Sequence, residues 1–222
     1  GCSITGTFSH FTPNIKECWW IFFYTVVVGQ ILATPTVFFH DIPLVSKALR
    51  FRLMFVPPIL YCYFKGKKGM ERDGVKINRP HFGRMNPVLF FVVISCMLFA
   101  TTVVIDPIAV LFPTPEWFAN LMEEAATGGN PYVSALTVCI FAPLCEEFIC
   151  RGMMTRGLLA RGTSPTVAIL WSAFFFGILH LNPWQAIPAF ILGALFGWVY
   201  YITGSLWATI WLHALNNTTS TL

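Results

Sequence analysis

Residues 139–151 run Cys-Ile-Phe-Ala-Pro-Leu-Cys-Glu-Glu-Phe-Ile-Cys-Arg: two adjacent carboxylates and an arginine set into an apolar stretch. Glu146 and Glu147 follow fifteen residues, Pro131 to Cys145, that carry no charge. A charged group at mid-bilayer costs about 2.5–3.5 kcal/mol on insertion scales. Two neighbouring carboxylates are worse unless protonation, partners or water relieve them. On a helix, Glu147 and Arg151 stand at i and i+4 and can pair on one face. Glu146 is turned about 100° away and has no sequence-local partner. The pair divides into a supported carboxylate and a free one, which suits catalysis.

Composition places the surrounding domain in a membrane. The 222 residues fit one domain, with 11 % charged and 56 % hydrophobic residues, against about 25 % charged in soluble chains. Mean hydropathy is +0.67. The net charge of +4 does not point to nucleic acid, because ten of the fourteen Lys and Arg lie between Lys47 and Arg84. That cluster reads as a cytoplasmic loop under the positive-inside rule. The seven cysteines form no C-x-x-C pair and read as buried free thiols rather than a disulfide framework or zinc ribbon. The chain starts Gly-Cys-Ser without an initiator Met. Both ends are expected to be truncations, with Cys2 at a boundary rather than at a lipidated N-terminus.

Outward from the carboxylates, the chain reads as an all-α polytopic transmembrane bundle of about 6–8 helices. Residues 1–16 are a polar, interfacial lead-in and 18–39 a first span with an aromatic belt at Trp19-Trp20. The run Leu53–Phe64 is too short to cross alone at 1.5 Å per residue, so a span over 43–64 must include Lys47, Arg50 and Arg52. Residues 65–86 read as a basic loop, 87–112 as a strong span that Asp106-Pro107 can end early, and 113–130 as an acidic non-cytoplasmic connection with a Gly-Gly-Asn turn. Segments 131–160, 164–181, 184–202 and 205–222 follow with short connections, hence a four-helix bundle. Arg156 and Arg161 mark a cytoplasmic corner, and Gly193, Ala194 and Gly197 permit close helix approach. The division is thus 1–126, N-terminal helices and basic loop, and 131–222, the catalytic core, within one membrane domain.

Three further polar residues interrupt that core. His180 closes an apolar run, and His213 and Asn217 stand at i and i+4 on the last segment. Counted from their helix ends at 1.5 Å per residue, Glu146 and His180 lie about 21 and 24 Å from the 161–163 turn. His213 and Asn217 lie about 12 and 18 Å from the 203–204 turn. All four can converge. A carboxylate can take a proton from a water that an imidazole positions, and a second imidazole with an amide can donate to a developing oxyanion. No serine or cysteine has an equally good histidine neighbour. Phe174–Phe176 reads as lipid or core packing, and Asn182-Pro183-Trp184-Gln185 as a capped interfacial turn.

Taken in order, Glu146-Glu147-x-x-x-Arg151, Phe176-x-x-x-His180 and His213-x-x-x-Asn217 resemble the three motifs of the CAAX prenyl protease and bacteriocin-processing (CPBP, or Abi) family. The resemblance covers roughly 131–222; residues 1–126 carry no family motif. It implies an intramembrane glutamate endopeptidase of the CAAX-protease type. Carried over, Glu146 is the general base, His180 its partner on water, His213 and Asn217 the oxyanion site, and Glu147 with Arg151 its support. Relatives have also been called metalloproteases. A zinc site would need His180, His213 and a carboxylate at about 2.0–2.2 Å, but Asn217 is a poor ligand and H-E-x-x-H is missing. The expectation is no cofactor and no metal, with zinc as the alternative.

The expected partners are a membrane-associated peptide or protein, prenylated or not, and the bilayer; nucleic acid is not among them. The resemblance suggests a multi-pass protein of the bacterial inner membrane. Two other classes compete. A non-catalytic membrane scaffold or bacteriocin self-immunity protein would use the same fold without cleavage. A proton relay or transporter would also need intramembrane Glu and His, but no inverted repeat is visible.

Overall fold

A computed structural model describes residues 4–39, 43–127 and 130–221. Cys2 and the Gly128-Gly129 turn lie outside the described residues. Within them every regular element is a helix, and there is no strand. Nine helices follow one another: α1 (Ile4–Phe8), α2 (Ile15–Thr36), α3 (Pro43–Lys68), α4 (Pro87–Leu111), α5 (Glu116–Thr127), α6 (Pro131–Ala160), α7 (Pro165–Ile178), α8 (Pro183–Thr203) and α9 (Leu206–Thr221). Four of them, α2, α4, α6 and α8, are long and apolar enough to cross a bilayer.

A repeated local signal starts three of these helices. Asn86-Pro87, Asn130-Pro131 and Asn182-Pro183 each place asparagine at the cap and proline in the first turn. The asparagine oxygen accepts an orphan backbone N–H, and proline has none to satisfy. Asn14 and Glu17 cap α2 reciprocally, Asn14 Oδ1 accepting from the Glu17 amide at 2.8 Å. At the other end of α8, Gly204 turns the chain with φ +62. Its missing side chain admits the Arg79 carbonyl.

The core is the α6–α9 bundle. Ile149, Met153, Met154 and Leu158 of α6 are buried with Phe175, Phe196, Val199 and Leu212. The α7–α8 contact is tight because a side chain at Gly193 would meet the Ala173 Cα at 3.1 Å, and one at Gly197 would meet Ser172 Oγ at 3.4 Å. In a membrane such close packing takes the place of hydrophobic drive between helices.

Several expectations change in detail. Asp106-Pro107 does not end α4, which continues to Leu111. The 113–130 connection contains α5, whose Trp117 and Phe118 pack on Trp184 with ring centroids 5.8 and 5.0 Å away. The 43–64 segment is one helix through Pro57 and Pro58, but it is not apolar enough to count as a span. Segment 164–181 shortens to α7, because Leu181 takes φ 58 and Asn182 starts the next cap. The basic stretch begins only after Lys68 and is strapped down rather than loose. Tyr200 Oη donates to the Ile77 carbonyl at 2.6 Å, and the Arg79 amide donates to Gly204 O at 2.8 Å.

Arg156 differs most from its reading as a topology marker. It is buried, and its guanidinium donates to the backbone oxygens of Ser9, Val75, Phe8 and Phe11. Arg161 Nε adds a bond to Thr12 O at 2.6 Å. The corner of α6 and α7 therefore gathers the lead-in and the basic strap. The six cysteines among the described residues are all free.

Candidate active site

The site is built where α6 departs from regular α-helix. Thr137–Phe141 and Phe148–Thr155 are π-helical, and the ordinary turn between them, Ala142–Glu147, carries both carboxylates. Widened turns of this kind are frequent at functional sites. Thr155 Oγ1 donates to the carbonyl of Cys150, five residues back, at 3.0 Å.

Arg151 and Glu147 are both fully buried, and Arg151 Nη1 donates to Glu147 Oε1 at 3.2 Å. Nη2 donates to the Gly193 carbonyl of α8 at 2.7 Å. The guanidinium lies over two rings, 4.7 Å from the Phe176 centroid and 5.4 Å from that of Phe196, a cation–π arrangement that is strongest when desolvated. Arg151 thus joins α6, α7 and α8. Arg151 Nε and Glu147 Oε2 have no hydrogen-bond partner among the described residues.

His213 of α9 closes the group. Its Nδ1 stands 2.8 Å from Glu147 Oε1 and its Nε2 3.5 Å from Glu146 Oε2. Glu147 Oε1 accepts from Arg151, so it accepts from His213 too, and Nδ1 carries the hydrogen. The imidazole stacks on Phe196, 5.6 Å between centroids, and meets Phe176 edge-on at 5.2 Å. Glu146 is less enclosed, its side chain 18 % exposed. Glu147 has Arg151 and His213 as partners, whereas Glu146 has the looser approach of His213.

His180 sits in the turn beyond α7. Its Nδ1 is 2.9 Å from the Phe176 carbonyl, which can only accept. Nδ1 therefore holds the hydrogen, and Nε2 is left with a lone pair. Asn182 Nδ2 donates to the His180 carbonyl at 2.9 Å and steadies the turn. The two imidazoles flank one ring, His180 at 5.4 Å and His213 at 5.2 Å from Phe176. Asn217, one turn beyond His213, donates from Nδ2 to Val138 O at 2.9 Å, which leaves its second N–H available.

The structure therefore gathers Glu146, Glu147, Arg151 and His213 in direct contact. His180 joins through Phe176, and Asn217 bonds the π-helical turn ahead of the carboxylates. Sequence reading missed Phe196 and the Gly193 carbonyl. The signal was weak: two residues at i and i+3 on the helix between the second and third motifs. Phe176 was assigned to packing together with its neighbours. Here Phe174 faces outward, Phe175 enters the core and Phe176 faces the site.

Comparison with known proteins bears on the same region. Residues 128–219 match the type II CAAX prenyl endopeptidase family, Rce1-like. No curated protein and no solved structure matches the chain. The Rce1-like region spans α6 to α9 and includes all six polar residues above. This supports a CAAX-type membrane-protease fold for the bundle and, with the four apolar helices, an integral membrane protein.

Among the described residues no three His, Cys, Asp or Glu side chains are grouped to hold a metal. A structural or catalytic zinc needs at least three protein ligands.

Proposed function

We propose that this protein is a metal-free intramembrane endopeptidase that hydrolyses a peptide bond in a membrane-associated peptide or protein, prenylated substrates included. The observation that carries the reading is His213 held between two carboxylates, with Glu147 itself tied to the buried Arg151. A buried ion network of this kind is costly in a bilayer and marks a functional site.

In this reading Glu146 removes a proton from water, and the His180 Nε2 lone pair orients that water. The hydroxide attacks the scissile carbonyl carbon and its oxygen becomes an oxyanion. The second Asn217 N–H donates to it, and so does His213, which in this reading carries a hydrogen on both ring nitrogens, Nδ1–H to Glu147 and Nε2–H to the oxyanion. The proton on Glu146 then passes to the leaving amine nitrogen as the C–N bond breaks. Glu147 and Arg151 do not touch the reacting atoms; they hold His213 in place.

The test is a panel of quenched membrane peptides, with and without a prenyl group, incubated with purified protein in detergent. Glu146→Gln should lower cleavage by about 10²–10⁴-fold, the usual span of general acid–base contributions, with thermal stability preserved. Retained cleavage in that variant sinks the glutamate mechanism. Cleavage lost to a strong chelator and restored by zinc would overturn the metal-free reading.

A further inference from the structure

On the side of the molecule where α2 begins, three clefts share lining residues and form one continuous track. The first, about 340 Å³, lies between the cations Lys65, Lys68, Arg72 and Arg161, with Glu17 as its carboxylate. The second, about 540 Å³, shares Glu17 and Lys65 and runs between Trp20, Tyr24 and Tyr61. The third, about 560 Å³, shares Lys16 and Trp20 and is walled by Trp19 and Phe23. Polarity changes along the track from cationic to aromatic. We infer that this track is a binding site for one anionic phospholipid, its headgroup phosphate among the cations and its acyl chains along the aromatic wall.

Charge decides the headgroup end. Four cations face one carboxylate, and Glu17 already engages Lys65 at 3.1 Å and Arg161 at 3.3 Å. Lys68 and Arg72 have no carboxylate partner among the described residues. Clustered Lys and Arg at a membrane surface attract anionic lipid, with about a fivefold gain in affinity per cation. Position decides the other end. Trp19 and Trp20 stand exposed at the start of a helix apolar enough to span, the level at which aromatic belts meet headgroups. A soluble phosphate would use only the first cleft, whereas a phospholipid uses the whole track. The strap beyond Lys68 and the lead-in both border this site, so the lipid bridges the two segments that Arg156 holds.

The experiment is a lipid titration of the full chain in detergent, read by native mass spectrometry. Phosphatidylglycerol should bind in preference to phosphatidylcholine of the same acyl chains. Lys68→Gln/Arg72→Gln should weaken phosphatidylglycerol about 25-fold, from the fivefold per cation, and leave phosphatidylcholine unchanged; Lys68→Arg/Arg72→Lys should bind as wild type. Should the first double variant fail to fold, wild type decides alone. Its preference must hold at about 0.05 M salt and collapse at about 1 M, where the screening length falls to about 3 Å. Equal binding of the two lipids, full binding by the charge-neutral variant, or displacement by inorganic phosphate would each overturn the assignment.

Discussion

Replacing Arg151 with methionine tests the site as a stability element. Arg151 and Glu147 are fully buried, and the guanidinium also donates to Gly193 O. Methionine preserves much of the contact with Phe176 and Phe196, so the loss isolates charge and hydrogen bonding. Removing one partner of a buried pair leaves the other uncompensated, at about 3–5 kcal/mol. For a chain of this length that is about 6–20 °C in apparent Tm. Glu147→Leu/Arg151→Met removes both charges. It takes the guanidinium from the Gly193 carbonyl, as the single variant does, and leaves the His213 Nδ1–H without its acceptor, a further penalty of about 1–3 kcal/mol. The double variant should therefore melt above the single one while remaining inactive. The assay is thermal unfolding in detergent at a fixed scan rate, since unfolding here is an operational measurement. A single variant within about 1 kcal/mol of wild type, or a double variant that melts below it, would refute the reasoning, because the guanidinium would then not be what compensates Glu147.

Gly193→Ala should cost about 1–3 kcal/mol, because its Cβ would meet Ala173 Cα at 3.1 Å and Arg151 Nη2 at 3.1 Å. Gly197→Ala should cost less, since its nearest neighbours stand at 3.3 to 3.6 Å; melting temperatures of the two variants check the order. Arg156→Met leaves the carbonyls of Phe8, Ser9, Phe11 and Val75 without their shared donor. Limited proteolysis should then cut within residues 8–12 or 69–78, sites protected in wild type, whereas cleavage confined to other loops would show that the guanidinium does not hold these segments.

The spans were legible where an apolar run is long enough to cross a bilayer, as in α4, and the ordered polar motifs pointed to the candidate site. What escaped has physical causes. The α5 helix escaped because its apolar face is partnered by Trp184, a contact no local pattern announces. The length of α7 was hidden because Leu181 adopts a left-handed backbone that its side chain disfavours. Phe196 could not be read as a site residue, since its role depends on α8 lying across α6. Arg156 and Arg161 carry the same charge and sit five residues apart, yet one is buried and the other is not. Depth, not sequence, separates a topology signal from a backbone clasp.

That clasp also has a history in time. The carbonyl of Phe11 and the guanidinium of Arg156 are 145 residues apart in the chain. At about 5–20 residues per second of synthesis, the lead-in waits about 7–30 s before its donor exists. Until then α2 and α4, the spans made before it, must enter the bilayer with the first segment undocked. The arginine acts as a late fastener: residues 8–11 are made long before the donor that holds them and are among the last to find their place.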